Sequence, residues 1–226
     1  MMFQFYQFRS VQECNIALTT ALLKDIKETL LDKGKINLAF SGGKSPIAFL
    51  EMLSKESCNW KKCNISLVDE RIVDLNNQES NARLIKTYFL QNLAKDAHFM
   101  PFFENVNLSL EEMVKNANTR YVQPDIAVLG MGLDGHTASL FPEADEFQMA
   151  LETHNNIILI IPKNAPYKRL SMSLSALKKC KKLFLSIATQ EKLLVFNEAI
   201  KGLNPKIPIS YILHSREVMC DVYFSK

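Results

Sequence analysis

The sequence lacks any apolar run that approaches the ~20 residues of a membrane-spanning helix. It also lacks an excess of one charge, because 27 Lys and Arg face 24 Asp and Glu. Without a basic block, charge gives no support for nucleic-acid or membrane binding. Residues 1–10 lack the charged and apolar regions of a secretory signal. We therefore expect a cytoplasmic protein that binds neither nucleic acid nor a membrane.

Paired cysteines are missing as well. The five cysteines are an odd number at irregular spacing, which argues against a disulfide framework and for a reducing compartment. Cys58 and Cys63 have no second pair that would complete a zinc site. The motifs G-x-S-x-G and H-E-x-x-H are absent too, so the sequence gives no support for a serine hydrolase or a zinc protease.

The remaining composition is ordinary for a folded protein. Its 226 residues are 47% hydrophobic and 23% charged, enough to bury a core in a single domain that spans residues 1–226. A strand is predicted at residues 3–8. A helix should begin after the N-cap Ser10, with Glu13 three residues on, and end at Gly34. Three strand-loop-helix units follow, with strands at residues 35–40, 64–68 and 125–129.

Further apolar patterns extend this series. Strands are predicted at residues 157–161, 183–188, 209–213 and 218–224, and helices at residues 108–121 and 191–200. The alternation predicts an α/β fold with a mostly parallel sheet and helices on both faces. Ligands of such sheets bind outside the carboxyl ends of the strands, where three polar loops are expected to converge.

The first loop joins a strand to a helix that begins at Pro46. It consists of Ser41, Gly42, Gly43, Lys44 and Ser45. Exposed backbone N–H groups, the positive end of the helix dipole and the lysine all favour a bound phosphate. A Walker A motif would need a glycine in place of Leu38, so a nucleotide P-loop is rejected. The alternative is a tight turn whose glycines serve only backbone geometry.

The second loop follows another strand and combines two carboxylates with an arginine, in Asp69, Glu70 and Arg71. It runs on to Ser80 and Asn81. A mixed-charge cluster suits a polar substrate. The alternative is a solvated ion-pair network, with Ser80 as no more than a helix N-cap.

The third loop, residues 130–142, is the most informative segment. It contains G-x-G-x-x-G, but Pro142 leaves little space for the long helix of a dinucleotide site. What remains is His136, two residues after Asp134, on a glycine-rich loop at the mouth of the sheet. An imidazole oriented by a carboxylate can take a proton from water, so this loop predicts a general base.

Two cations elsewhere are candidates for binding a dianion across the crevice. Arg169 lies in a proline-flanked polar segment, and Lys192 lies at the start of a predicted helix. The alternative for each is a side chain that faces solvent.

Together the three loops resemble the signatures of the 6-phosphogluconolactonase family, and Arg169 matches that family's proline-flanked arginine. The resemblance covers most of the chain. It implies a Rossmann-like fold and hydrolysis of 6-phosphogluconolactone, a sugar-phosphate lactone, to 6-phosphogluconate in the oxidative pentose phosphate pathway, without a metal or cofactor. Two departures concern phosphate contact: Lys44 replaces the usual serine, and Thr189 stands where a glycine commonly precedes the Lys192 turn.

Two other functions stay open. Glucosamine-6-phosphate deaminase resembles the chain in the phosphate loop and the Asp-Gly-His core, but that family continues with Phe-Asn-Glu-Pro, and Phe141 stands where its glutamate should be. Arg71 also follows the lactonase pattern, because the deaminase has an aromatic residue there. A non-catalytic sugar-phosphate-binding protein is the third possibility. We expect a monomer or a weak homo-oligomer.

The resemblance and the residues suggest one division of roles. His136, oriented by Asp134 or Asp69, would deprotonate a water that attacks the lactone carbonyl. Arg71 would stabilise the oxyanion as its charge develops. The phosphate would be held by Ser41, Gly42, Gly43, Lys44, Ser45, Arg169 and Lys192.

Overall fold

The structure, a computed structural model, describes residues 2–226. Within them lie ten strands: β1 (Phe3–Phe8), β2 (Ile36–Phe40), β3 (Cys63–Leu67), β4 (Asp69–Arg71), β5 (His98–Phe99), β6 (Ile126–Leu129), β7 (Ile157–Ile160), β8 (Arg169–Met172), β9 (Lys182–Ala188) and β10 (Met219–Ser225). Seven form the central sheet, in the order β1, β10, β9, β6, β2, β3 and β5. Every neighbouring pair in it is parallel, so the predicted α/β class with a mostly parallel sheet is confirmed.

Helices connect these strands. In the described residues they are α1 (Val11–Lys33), α2 (Ile47–Ser54), α3 (Asn81–Tyr88), α4 (Leu110–Thr119), α5 (Phe147–Glu152), α6 (Leu174–Lys178), α7 (Gln190–Ala199) and α8 (Ser210–Leu213). Short 3₁₀ turns lie at Trp60–Lys62 and Asn92–Asp96. None of the helices in residues 2–226 has the length and apolar character needed to cross a membrane.

The longest helix, α1, begins and ends where local signals predicted. The Ser10 hydroxyl accepts a hydrogen bond from the backbone N–H of Glu13 at 3.1 Å, and the Glu13 carboxylate accepts one from the backbone N–H of Arg9 at 3.1 Å. Gly34 has a φ of 69°, a left-handed conformation that glycine adopts without steric cost. Both ends of α1 are therefore set by residues within one turn of them.

A second sheet was not predicted. It contains β4, β8 and β7, paired antiparallel. The chain passes into it at Val68, whose N–H donates to Phe40 in the central sheet at 3.0 Å and whose carbonyl accepts from Met172 at 2.9 Å. The residues predicted as the start of a loop, 69–71, are thus a strand, and the strand predicted at 157–161 lies outside the central sheet. The partner strand is distant in sequence, so no local pattern indicates this pairing.

The strand predicted at residues 209–213 is wrong. Those residues form the short helix α8, with the N–H groups of Ile212 and Leu213 bonded to the carbonyl of Ile209. The Ile209 N–H itself donates to Gly135 at 2.9 Å. Apart from Ser210 the run is apolar, and every residue except the half-buried Tyr211 is buried. So short a run has no clear period that separates a strand from a helical turn.

The central strands deliver their loops to one edge of the sheet. β2 and β6 are buried almost throughout, as expected of parallel strands covered on both faces. The Ser41 N–H donates to the Val128 carbonyl at 2.9 Å, which extends the β2–β6 pairing into the first loop. β2, β6 and β9 therefore place the first loop, the third loop and the start of α7 side by side.

Thr189 joins β9 to α7 in a backbone conformation that side chains rarely adopt. Its φ is 82° and its ψ 147°, a region occupied almost only by glycine. No hydrogen bond from its side chain caps α7. The departure from glycine noted in the sequence therefore stores backbone strain at the helix that carries Lys192.

We expect Thr189→Gly to stabilise the protein. The relieved strain of about 1–3 kcal/mol exceeds the entropy cost of a new glycine, about 0.5–1 kcal/mol, so the free energy of unfolding should rise by about 1 kcal/mol. Thr189→Ala is the matched control, because it keeps the Cβ atom and most of the strain. Urea unfolding of the three proteins measures the difference, and equal values for the glycine and alanine variants would contradict the strain argument.

Candidate active site

A cavity of about 350 Å³ opens where the three loops meet. The predicted site residues in its wall are Ser41, Gly42, Gly43, Ser45, Asp69, Arg71, His136, Arg169 and Lys192. Lys44 and Asp134 are not part of the wall, and Lys44 is exposed to solvent. The convergence of residues from all three loops is thus observed, with Lys44 outside it.

The first loop approaches a neighbouring side chain closely at Gly42. A Cβ atom on Gly42 would lie 1.8 Å from Oδ1 of Asn81, so only glycine fits there. Gly43 has a φ of 89°, again a conformation suited to glycine. The loop then leads into α2, and Pro46 and Phe49 at this end of the helix line the cavity. The positive end of a helix dipole favours an anion.

Glu70 is a fully buried carboxylate at the N-terminus of α3. Its oxygens accept four hydrogen bonds, from the backbone N–H groups of Arg71, Asn81 and Ala82 at 2.7–2.8 Å and from the Ser80 hydroxyl at 3.1 Å. Burial raises the pKa of Glu70 to about 7, although the four bonds favour the ionised form. The carboxylate joins β4 to the first turn of α3, where Ser80 is the N-cap.

The guanidinium of Arg71 is held on one side only. Its Nη1 donates to the Glu79 carbonyl and to Oδ1 of Asn81, both at 2.8 Å. Its other guanidinium N–H groups have no hydrogen-bond partner within residues 2–226. They are available to an anion in the cavity.

Arg169 lies directly opposite Arg71 in the β4–β8 pair and is only 7% exposed. Its Nη2 donates to the Pro166 carbonyl at 3.1 Å, but its buried Nε has no partner in the described part of the chain. Burial lowers the pKa of Arg169; the Asp69 carboxylate opposes this effect and the charge of Arg71 adds to it. Like charges directly opposite each other destabilise a strand pair, so the two arginines favour a bound anion.

His136 is paired with Asp134. Its Nδ1 lies 2.5 Å from Oδ1 of Asp134, which also accepts the backbone N–H of His136 at 3.2 Å. Partial burial raises the pKa of Asp134, but the hydrogen bonds and charge of His136 outweigh it, so the pKa lies below its ordinary value. Nε2 of His136 has no hydrogen-bond partner among the described residues, and the ring lines the cavity.

Asp69, the other candidate for orienting His136, makes different contacts. Its Oδ2 accepts a hydrogen bond from the Ser139 hydroxyl at 2.5 Å, and the Ser139 N–H donates to the Ser171 hydroxyl at 3.0 Å. These bonds fasten the third loop to the second sheet. Of the two carboxylates, the structure therefore places Asp134 on His136.

Lys192 lies in the first turn of α7, half-buried, with its side chain in the cavity wall. Burial lowers its pKa. The cavity thus has cations on two sides, from the second sheet and from α7.

Comparison with known proteins places the chain in a family. The sequence profile described as glucosamine-6-phosphate isomerases/6-phosphogluconolactonase matches residues 9–220. The chain belongs to this family. A 6-phosphogluconolactonase of Helicobacter pylori is 44% identical over 228 residues, covering all of both chains.

Solved structures give the same result. A Neisseria gonorrhoeae protein assigned as a 6-phosphogluconolactonase superposes with a TM-score of 0.97 at 38% identity, and a 6-phosphogluconolactonase of Shewanella baltica with a TM-score of 0.91 at 30%. Each comparison covers all of both chains. The family predicted from the three loops is therefore confirmed.

Three residues contribute contacts that the sequence did not indicate. Asn81 and Ser139 hold the charged residues of the second loop. The ring centroids of Phe141 and His136 are 4.2 Å apart, and the Arg169 guanidinium lies 5.6 Å from the centroid of the Phe141 ring. All three residues stand in the motifs that the sequence analysis singled out, which was the only available signal, but their contacts depend on tertiary packing.

Gly132 gives a test of the His136–Asp134 geometry. A Cβ atom there would lie 2.3 Å from the His136 ring and 2.5 Å from Oδ1 of Asp134. We expect Gly132→Ala to force these groups apart and lower the free energy of unfolding by about 1–3 kcal/mol. Gly202→Ala is the control, because a Cβ atom at Gly202 meets nothing within 4 Å. Urea unfolding measures both, and an unchanged Gly132→Ala protein would show that the ring is not confined.

Proposed function

We propose that the protein hydrolyses 6-phospho-D-glucono-1,5-lactone to 6-phosphogluconate. The observation that carries the proposal is a histidine that is held by a carboxylate and lines the same cavity as two opposed arginines with unused N–H groups. Such a site combines a base for water with cations for a dianion and for a developing oxyanion. The names of the relatives point to the same reaction.

His136 acts as the general base in this proposal. Asp134 holds Nδ1, which leaves Nε2 to take a proton from water. The water oxygen forms a bond to the lactone carbonyl carbon, and the carbonyl electron pair moves onto the oxygen beside Arg71. When the carbonyl re-forms, the bond to the ring oxygen breaks, and that oxygen takes the proton from His136. The product is the open-chain carboxylic acid with a new hydroxyl group, and the acid then releases a proton to solvent to become the carboxylate.

The phosphate is held at the other side of the cavity. The first loop and the N-terminus of α2 supply backbone N–H groups, and Arg169 and Lys192 supply charge. Lys44 is an exposed residue of the loop and adds positive charge without lining the cavity. The proposed reaction uses only water and groups of this protein, without a metal or cofactor.

The deaminase reaction has less support. The position that would carry its ring-opening glutamate is Phe141, whose ring packs on His136, so no carboxylate lies there. We place the lactonase in the oxidative branch of the pentose phosphate pathway and in the cytoplasm. The five cysteines are free thiols, which supports a reducing compartment such as the cytoplasm.

The first test is lactone hydrolysis by the purified protein and by His136→Gln. The lactone is generated in situ, and formation of 6-phosphogluconate is followed against an enzyme-free blank, because lactones open unaided. We expect saturable acceleration by the parent protein and a loss of kcat on the order of 10²- to 10⁴-fold in the variant. If the parent protein hydrolyses the lactone no faster than the blank, the lactonase proposal fails. The next assays are then ammonia release from glucosamine 6-phosphate, for the deaminase, and sugar-phosphate binding, for a non-catalytic protein.

The second test concerns the phosphate. We expect Arg169→Ala to raise KM for the phosphorylated lactone at least about tenfold, since a charged hydrogen-bonding partner is lost, while slow turnover of unphosphorylated gluconolactone persists. Arg120→Ala is the control, because Arg120 pairs with Glu104 outside the cavity. Equal losses on both lactones would remove Arg169 from the phosphate site.

A further inference from the structure

The Asn81 side chain joins two residues of the charged motif in the second loop. It is 1% exposed and follows the N-cap of α3. Its Oδ1 accepts a hydrogen bond from Nη1 of Arg71, and its Nδ2 donates to the backbone carbonyl of Asp69, both at 2.8 Å. Its backbone N–H donates to Glu70, also at 2.8 Å. One residue therefore bonds to all three members of the charged motif.

The same side chain touches the first loop. Gly42 approaches so closely that any Cβ atom would overlap Oδ1 of Asn81. The amide thus lies between the loop proposed to hold phosphate and the arginine proposed to face the oxyanion. Its position sets the separation of these two groups.

Only an amide side chain can make all of these contacts. Asn81 needs an acceptor for Arg71 and a donor for the Asp69 carbonyl, and an amide supplies both while remaining neutral. A carboxylate of the same shape would bond Arg71 but neutralise its charge, and it would repel the Asp69 carbonyl. Alanine would supply neither bond and would leave a gap beside Gly42.

We propose that Asn81 is a positioning residue that fixes the Arg71 guanidinium relative to the phosphate loop. The inference rests on the proposed function, because it assigns Arg71 its place in lactone hydrolysis. Misplacing a group that acts only in the transition state lowers kcat more than substrate binding. The effect of Asn81 must therefore pass through Arg71.

Kinetics test this dependence. We expect Asn81→Ala and Asn81→Asp to lower kcat on the order of 10- to 100-fold, with KM for the phosphorylated lactone changed less than about threefold. In an Arg71→Ala background, Asn81→Ala should cause little further loss of kcat. The proposal would be overturned if the kcat losses of Asn81→Ala and Arg71→Ala were fully additive in the double variant. It would also be overturned if Asn81→Ala raised only KM.

The control is another asparagine with a structural role. Asn118 donates from its side chain to the Ile157 carbonyl at 2.7 Å and accepts from the Ile157 N–H at 3.0 Å, joining α4 to β7, and it lies outside the cavity wall. Asn118→Ala should lower the unfolding midpoint without changing kcat or KM. If Asn118→Ala lowered kcat as much as Asn81→Ala does, general destabilisation of the fold would explain both losses.

A measurement without substrate separates this inference from the proposed function. Gly42→Ala should lower the urea midpoint strongly in the parent chain, because the methyl group overlaps the amide. In the Asn81→Ala background there is space for the methyl group, and we expect less than half of that loss. Equal losses in both backgrounds would contradict the close contact, whatever the lactone assay shows. If the losses in urea midpoint are not additive but the parent protein does not hydrolyse the lactone, the Gly42–Asn81 contact stands and the proposed function is refuted.

Discussion

The site depends on one buried carboxylate. Glu70 has no exposure to solvent, and an ionised carboxylate in that position is strongly disfavoured unless every oxygen is hydrogen-bonded. The groups that bond to it are the backbone of Arg71 and the first turn of α3, which carries Asn81. Satisfying the carboxylate therefore fixes the short strand β4 against α3, and the charged residues on either side of Glu70 face the cavity as a result.

The charges in the cavity are not balanced within the protein. Arg71 and Arg169 oppose each other across two antiparallel strands, and Lys192 adds a third cation from α7. Asp69 is nearby and offsets only part of this positive charge. A doubly charged phosphate would relieve this repulsion, so the free energy stored among the cations contributes to binding an anion.

Sequence reasoning succeeded where structure is decided locally. The caps of α1 at Ser10 and Gly34 were predicted because each signal lies within one turn of the helix end. The meeting of the three loops was predicted because parallel strands present their carboxyl ends at one edge. The second sheet was missed because β4 pairs with a strand about a hundred residues away. Residues 209–213 were misassigned because a short, mostly buried apolar run shows no clear period. The choice between Asp69 and Asp134 as the partner of His136 also required the fold, since Ser139 engages the first.

The sheet order has a consequence for how the chain assembles. β10 lies between β1 and β9, so β1, the first of the described strands in the sequence, cannot join the sheet until β10, the last of them, is in place. Until then the uncharged, aromatic segment of β1 has no neighbour in the sheet, and an unpaired strand of this kind invites association with other chains. Closure of the sheet joins opposite ends of the sequence, a contact with a large loop-entropy cost. We therefore expect insertion of β10 between β1 and β9 to be a late and slow step of folding, before which the unpaired strand edges favour aggregation.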